Sequence, residues 1–375
     1  MTNTQSPASH TAPQTLTTRL NSARKNFSPP NEAERAEFLR RVIEHCHSFQ
    51  GPQLSRSLTQ AGLSLALYAG LIAAMMVSVF YGLWLVGLLL VPFAAGMLVK
   101  LFIIQHDCGH GSYFKSKKAN HALGFFISLL TFTPYGYWRD AHNQHHATSG
   151  DLGRRGAGAV DTLTVEEYQS LPPIKRAMYR FYRHPAVIVG IGAPFYFIVM
   201  QRFPMGGPMP FVETYKGFKV RDIWKSVILL DVGLIAFYGA FIAAFGWGPV
   251  LAAFLPAVAG ASCIGSWMFF VQHQYEDAYW EDRPEWNFAE AALFGSSHYD
   301  LPMPLRWITG NIGLHHIHHL ASRIPNYRLM ECFKTSKELM SMPRMTILDS
   351  LRSPRLALWD AAKGKMVSFS AAKAG

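Results

Sequence analysis

Sixteen histidines stand in this chain of 375 residues, and most are bunched at spacings that chemistry can use. His106 and His110 lie four apart in HDCGH; His142, His145 and His146 in HNQHH follow i, i+3, i+4, and His315, His318 and His319 in HHIHH repeat that pattern. On a helix these offsets put side chains on one face, with Cβ atoms about 5 to 6 Å apart, so each box aims two or three imidazoles at one point. Eight imidazoles are too many for one ion, because a zinc site uses four ligands, or three and a water. Two ions would absorb eight or nine, which makes a dimetal centre the natural reading. Imidazole suits iron, zinc, copper and nickel alike and does not choose between them. Carboxylates nearby would orient the rings and raise their basicity, and Asp107, Asp140, Glu276, Asp277 and Asp300 are candidates for that work.

The boxes need elements that hold them together. From Ser57 to Val99 there are 43 consecutive residues without Asp, Glu, Lys or Arg, about twice the roughly 20 residues that cross a bilayer as a helix. A helical hairpin turning at Tyr81-Gly82 fits this run, with Pro92 as a kink. A second block from Ser226 to Phe270 carries Asp231 as its single charge and breaks at Phe245-Gly246-Trp247-Gly248-Pro249. The expectation is an all-α membrane protein with spans at about 60–81, 83–104, 226–245 and 249–270; the alternative, core helices of a large soluble protein, rarely yields uncharged runs so long. All 35 Lys and Arg lie outside the two blocks, which places everything basic on one side of the membrane. By the positive-inside rule that side is cytoplasmic, and it holds both termini and every box. His273, in FFVQHQYED, stands where the fourth span should emerge on that side, which makes it a ninth candidate ligand.

The formal charge of +11 with 50% hydrophobic and 16% charged residues excludes a disordered chain and argues against a soluble nucleic-acid binder, which would not hold long uncharged runs. Cys46, Cys108, Cys263 and Cys332 show neither paired nor CxxC spacing, so no disulfide framework or thiolate site is indicated. Two shorter apolar stretches, Ala119 to Trp138 and Ala186 to Met200, are expected to be interfacial or re-entrant, because either one crossing alone would separate the boxes. Residues 1–31, rich in Thr, Ser, Pro and Gln, read as a disordered tail without a secretory signal. A domain over 32–345 follows, with a metal-bearing helical cap from 105–225 and 271–345, and then a C-terminal tail over 346–375. Asp231 reads equally as a functional intramembrane acid and as an interfacial residue. His316 is turned about 100° from His315 on a helix and reads as a neighbour of the third box. His298 reads as a loop residue.

The stretches HDCGHGSYF, HNQHHATSGDLGRRG and TGNIGLHHIHHLASRIPNYRL, in that order and each beside a membrane hairpin, resemble the membrane fatty acid desaturases, especially their bacterial and cyanobacterial acyl-lipid branch. The resemblance runs from about residue 60 to 340. It implies a non-haem di-iron oxidoreductase that uses O2 and two external electrons to place a cis double bond in a fatty acyl chain, with water as by-product. Carried over position by position, the iron ligands would be His106, His110, His142, His145, His146, His273, His315, His318 and His319. In the acyl-CoA branch an Asn stands four before the histidine corresponding to His273. Here that residue is Phe269, which argues against that branch and leaves Gln272 and Asn311 as further candidates at the centre. The chain shows no Rossmann fingerprint, iron-sulfur spacing or haem-loop motif, so a separate electron donor such as ferredoxin is implied, docking on Lys115 to Lys118, Arg154-Arg155 and Lys175-Arg176. A bacterial inner membrane is the expected location. A histidine-box hydroxylase or ketolase of a lipid or carotenoid is the alternative, and a histidine-rich metal transporter a remote one, since transport would need polar residues along the spans.

Overall fold

The computed structural model describes residues 32–155, 159–203 and 218–373, so the expected tail over 1–31 lies outside the described residues. Helix α1 (Glu32–His47) precedes two long antiparallel helices, α2 (Leu54–Phe80) and α3 (Trp84–His110), joined at Gly82, whose φ of 73° suits a residue without Cβ. Next come α4 (Lys117–Thr131), α5 (Tyr135–Thr148) and α6 (Pro173–Tyr182), followed by the second long pair, α7 (Val220–Phe245) and α8 (Trp247–His273). Short helices α9 (Phe288–Phe294), α10 (Met303–Ile308), α11 (His315–Leu320) and α12 (Asn326–Lys334) complete the helical layer at the histidine end.

Among the described residues, α2, α3, α7 and α8 are the four helices long and apolar enough to cross a membrane. Their outward faces carry Leu85, Leu88, Leu89, Phe93, Ile228, Leu229, Val232 and Ile235, all exposed, a surface that a bilayer covers and water would not. At 27 residues and 1.5 Å per residue, α3 and α8 are each about 40 Å long, against a hydrocarbon core of about 30 Å. The surplus of about 10 Å is enough for the last two turns to stand past the apolar layer. These turns bear His106 and His110 on α3 and His273 on α8.

The two shorter apolar stretches do not form separate long helices. Helix α4 has 15 residues, too few to span, and Ala186–Arg202 passes the length and hydropathy test only together with α6, to which it is bent by 59°. Arg202 closes this segment against the bundle: its guanidinium donates to Asp231 Oδ1 of α7 at 2.7 Å and to the Phe132 carbonyl after α4 at 2.5 Å. Asp231 is thus the counter-charge of Arg202 and not a free intramembrane acid.

Small residues set the spacing of the central pair. A Cβ on Gly260 of α8 would stand 2.9 Å from the Ala95 Cβ of α3, so these helices touch nearly backbone to backbone, as membrane helices do where small residues meet. Five short strands flank the helical layer: β1 (Leu163–Thr164), β2 (His298–Tyr299), β3 (Arg344–Met345), β4 (Leu358–Asp360) and β5 (Lys365–Val367). Strand β4 lies between β1, parallel with Leu163 opposite Leu358, and antiparallel β5, while β2 pairs in parallel with β3. The stretch from 346 onward therefore packs into the body, with Trp359 buried. Arg183, after α6, donates to the Leu356 carbonyl at 2.9 Å and to Gln274 Oε1 at 2.7 Å. It ties the C-terminal strands to the residue that follows His273.

Replacing Gly260 by Leu should push α8 away from α3 and destabilise the fold by about 1 to 3 kcal/mol, the usual range for overpacking. Thermal melting of the detergent-solubilised variant checks this; an unchanged melting temperature would show that the two helices are not in such contact.

Candidate metal centre

Each histidine is placed by a local feature of its own element. Gly111, in the left-handed conformation at φ 67°, ends α3 directly after His110. Helix α5 starts after Pro134 and presents His142, His145 and His146 on one face, with Trp138 stacked one turn before His142 at 4.9 Å between ring centres. Ser226 of α7 holds its first turn by accepting from the Tyr137 N–H at 3.0 Å. Before α11 the chain turns through Gly310 and Asn311, both left-handed, and a Cβ on Gly310 would stand 2.8 Å from Ile103 of α3. That close approach brings the third box over the first.

All nine predicted histidines meet at one place, eight of them buried and His110 partly so. One group holds His106, His110, His142, His146 and His318, and a second holds His145, His273 and His319, the ligand atoms in each lying within 4.8 Å of one another. His315 joins the second, its Nε2 being 3.0 Å from that of His273 and 3.2 Å from that of His319. Further Nε2 pairs, His145 with His273, His146 with His142 and His318 with His146, stand at 3.1 Å. Two nitrogens bound about 2.1 Å from one ion at right or tetrahedral angles are about 3.0 to 3.4 Å apart, so these spacings are those of ligands around a shared cation.

The chemistry of the donors points the same way. A neutral imidazole carries its proton on one ring nitrogen and a lone pair on the other, so a ring whose Nδ1–H donates outward, as His273 can to the Gly295 carbonyl, turns an Nε2 lone pair towards its neighbours. His110 Nε2 is buried with no hydrogen-bond partner. Burial, with repulsion from neighbouring rings, pushes the pKa values of His142, His145, His146, His315, His318 and His319 well below the ordinary 6.5. The rings are neutral at pH 7, the form that accepts a metal. Five nitrogens in one group and four in the other thus fit metal ions.

The supporting residues divide. Asp107 lies with Oδ1 3.3 Å from His106 Nδ1, while its Oδ2 accepts from the backbone N–H and side-chain amide of Asn326 at 2.7 and 2.8 Å. His273 Nδ1 stands 3.1 Å from the Gly295 carbonyl. Asp277 is buried, and the other three expected partners go elsewhere. Asp140 pairs with Arg139 at 2.8 Å on the exposed side of α5, because it falls on the helix face opposite the boxed rings. Glu276 pairs with Lys365, and Asp300 with Arg344. Gln272 donates to the Ile312 carbonyl at 2.9 Å and Asn311 to that of Asn326 at 3.3 Å, so both amides serve the backbone around the third box. Asn326 and Gly295 were not singled out from sequence; the IPNY stretch contained Asn326, but a carbonyl acceptor such as Gly295 leaves no mark in residue type. His316 and His298 face each other at 5.6 Å between ring centres, away from both groups.

Four apolar spans with enclosed imidazoles at their ends define a membrane protein with a site suited to metal. The fatty acid desaturase family model matches residues 82–349. The chain is 38% identical over 305 residues to a fatty acid desaturase of Bacillus subtilis, an alignment covering 78% of this chain and 84% of that protein. It is 27% identical over 252 residues to an sn-1 oleoyl-lipid 12-desaturase of Anabaena variabilis, covering 66% and 67% of the two chains. It is also 26% identical over 301 residues to an sn-1 acyl-lipid omega-3 desaturase (ferredoxin) of a Synechocystis species, covering 77% of each. The chain belongs to the fatty acid desaturase family, and it is accordingly a membrane oxidoreductase that introduces unsaturation into fatty acyl chains.

The lowered imidazole pKa values carry a sign for stability. Below about pH 6.5 the unfolded chain takes up protons that the buried rings refuse, so stability is complete above that pH and declines as pH falls below it. Chelator-treated protein should melt at a constant temperature between pH 7 and 8.5 and progressively lower from pH 6.5 to 5. A flat profile down to pH 5 would mean that the rings are open to water.

Proposed function

We propose that the chain is an acyl-lipid desaturase whose nine histidines hold two irons, five nitrogens around one and four around the other. The observation that carries this reading is the convergence of His106, His110, His142, His145, His146, His273, His315, His318 and His319 at the feet of apolar spans. The irons, with O2 and two electrons, would supply the oxidising power to break an alkyl C–H bond, which no side chain can do. The protein's part is to hold neutral rings in fixed directions, with Asp107 and the Gly295 carbonyl setting His106 and His273. It also keeps water out and admits an apolar chain from the bilayer. The curated relatives named for oleoyl-lipid and acyl-lipid substrates support a glycerolipid-bound acyl group here.

Electrons would come from an external ferredoxin, as the name of the Synechocystis relative states for that protein. Arg155 is committed to Glu167, whose carboxylate takes both guanidinium nitrogens at 2.5 and 2.8 Å. Docking would therefore fall on exposed Lys115, Lys117, Lys118 and Lys175, with Arg176 beside them. The confinement of all Lys and Arg to one end of the spans supports a cytoplasmic site in a bacterial inner membrane. The domain would start at 32 and run past the expected boundary at 345, since Trp359 and Met366 belong to the same buried core as Val42 and Cys46 of α1 and Ile317 and Leu329.

Expression in a host that lacks polyunsaturated lipids and contains reduced ferredoxin should yield fatty acid methyl esters with one added double bond, read by gas chromatography and mass spectrometry. Hydroxylated chains would move the assignment to the oxygenase alternative, and unchanged chains would remove it. His145→Ala and His318→Ala, one from each group, should each abolish the product and lower bound iron from two towards one or none per chain by elemental analysis. Full iron content in either would break the ligand assignment.

A further inference from the structure

We propose that an open cavity of about 630 Å³ beside α3 binds the phosphodiester head of an anionic membrane lipid. This rests on the reading of the chain as acting on lipid-linked acyl groups, and adds how such a lipid would be recognised. The walls come from the first turns of α2, from Lys100 on α3, and from α10 and α12. Arg56, Lys100, Arg306 and Lys334 line the cavity, and no carboxylate does.

Lys100 is the most telling of the four. Only 4% of it is exposed; its ammonium donates to the Trp307 carbonyl and lies 4.0 Å from the centre of the Trp307 ring. Neither partner carries a negative charge, and among the described residues no carboxylate pairs with it. A cation taken out of water costs several kcal/mol unless it is matched by charge and by hydrogen bonds to its remaining donors, and an ionisable group within a span marks function by default. Arg306 and Lys334 also have no acidic partner among the described residues. Arg56 does have one, Glu331 at 2.5 Å, but that carboxylate is shared with Arg328 at 3.4 Å. The cavity is therefore strongly positive and lacks an anion.

Depth identifies the source of the phosphate. If α3 projects about 10 Å beyond the hydrocarbon, Lys100, ten residues before its end, lies about 5 Å inside the boundary, and its four-carbon stem reaches the head-group level. Helix α10 turns Met303, Leu305 and Trp307 outward, apolar side chains suited to the membrane interface. A site for free phosphate would need neither feature. On the inner side Asn326 lines the cavity and holds Asp107, which touches His106. A lipid held by its head here would sit within reach of the candidate centre with its own acyl chain.

Native mass spectrometry of the full-length metal-loaded protein in neutral detergent tests this. The probes are phosphatidylglycerol, diacylglycerol with the same chains, a long-chain acyl-CoA, and inorganic phosphate as competitor. Phosphatidylglycerol should bind at least tenfold more tightly than diacylglycerol. The double variant Arg306→Gln/Lys334→Gln should weaken phosphatidylglycerol about 30-fold, since each interfacial cation contributes about fivefold, and leave diacylglycerol binding and iron content as they were. Equal affinity for the two lipids, or wild-type phosphatidylglycerol binding by the variant, overturns the proposal. So does displacement by millimolar inorganic phosphate, which would make this a free-phosphate site, and so does tighter acyl-CoA binding through the same cations. The double-bond assay fails or succeeds separately: charge-dependent lipid binding by a chain that yields no unsaturated product would keep the cavity and remove the proposed activity.

Discussion

Nine imidazoles packed against one another, eight of them buried, are a heavy demand on any fold. An unsatisfied buried ring nitrogen costs on the order of 1 to 3 kcal/mol, and a folded chain has a margin of about 5 to 15 kcal/mol in all. Ring nitrogens gathered at 3.0 to 3.2 Å from one another need a proton or a metal ion between them and a scaffold that holds them there. The rest of the molecule is explicable as that scaffold. Helices α3 and α8 are pinned together where Gly260 meets Ala95, and both run on past the apolar layer to end at His110 and His273. The rigid part of the bundle thereby becomes the mount of the site.

The remaining ligands hang from shorter pieces, and long-range hydrogen bonds hold these. Asn326 reaches Asp107 across 219 residues of sequence, fixing the loop that bears the third box to the helix that bears the first. Arg183 does the same for the C-terminal strands and Gln274, so the end of α8 is braced from outside the membrane. Such contacts compensate for α11 itself, which at six residues is too short to be stable alone.

Much of this was legible in the sequence because its causes are local. The i, i+3, i+4 offsets of HNQHH and HHIHH need only a helix to become one face, and the uncharged runs need only a bilayer to become spans. Even His273, which belongs to no box, followed from the length of the fourth span. What stayed hidden depends on which residues meet across the fold. Asp140 sits next to a box in sequence yet on the wrong helix face, and Asp107, equally close, finds both His106 and a distant amide. Asp231 could not be read without Arg202, which the chain brings to it from an irregular segment. The two strands over 358–367 are three residues long each and owe their place to Tyr179 and Arg183 more than to β propensity.

Phe269 bears on how the two groups of nitrogens differ. It stands one turn before His273, and its ring lies 5.3 Å from that of His273 and 5.2 Å from that of His145. An amide at this position would have offered a tenth donor; a phenyl ring offers none and excludes water in its place. Beside it a cavity of about 20 Å³ touches His145 and His273, room for about one water-sized molecule. The five-nitrogen group has Trp138 stacked on His142 at 4.9 Å between ring centres and is braced by Asp107 and Asn326. The two halves of the site are therefore covered by different rings: Trp138 lies on His142 of one group, and Phe269 lies against His145 and His273 of the other, next to a small opening. At position 269 of this chain that cover is a phenyl ring, which packs on His145 and His273 and adds no donor to the four-nitrogen group.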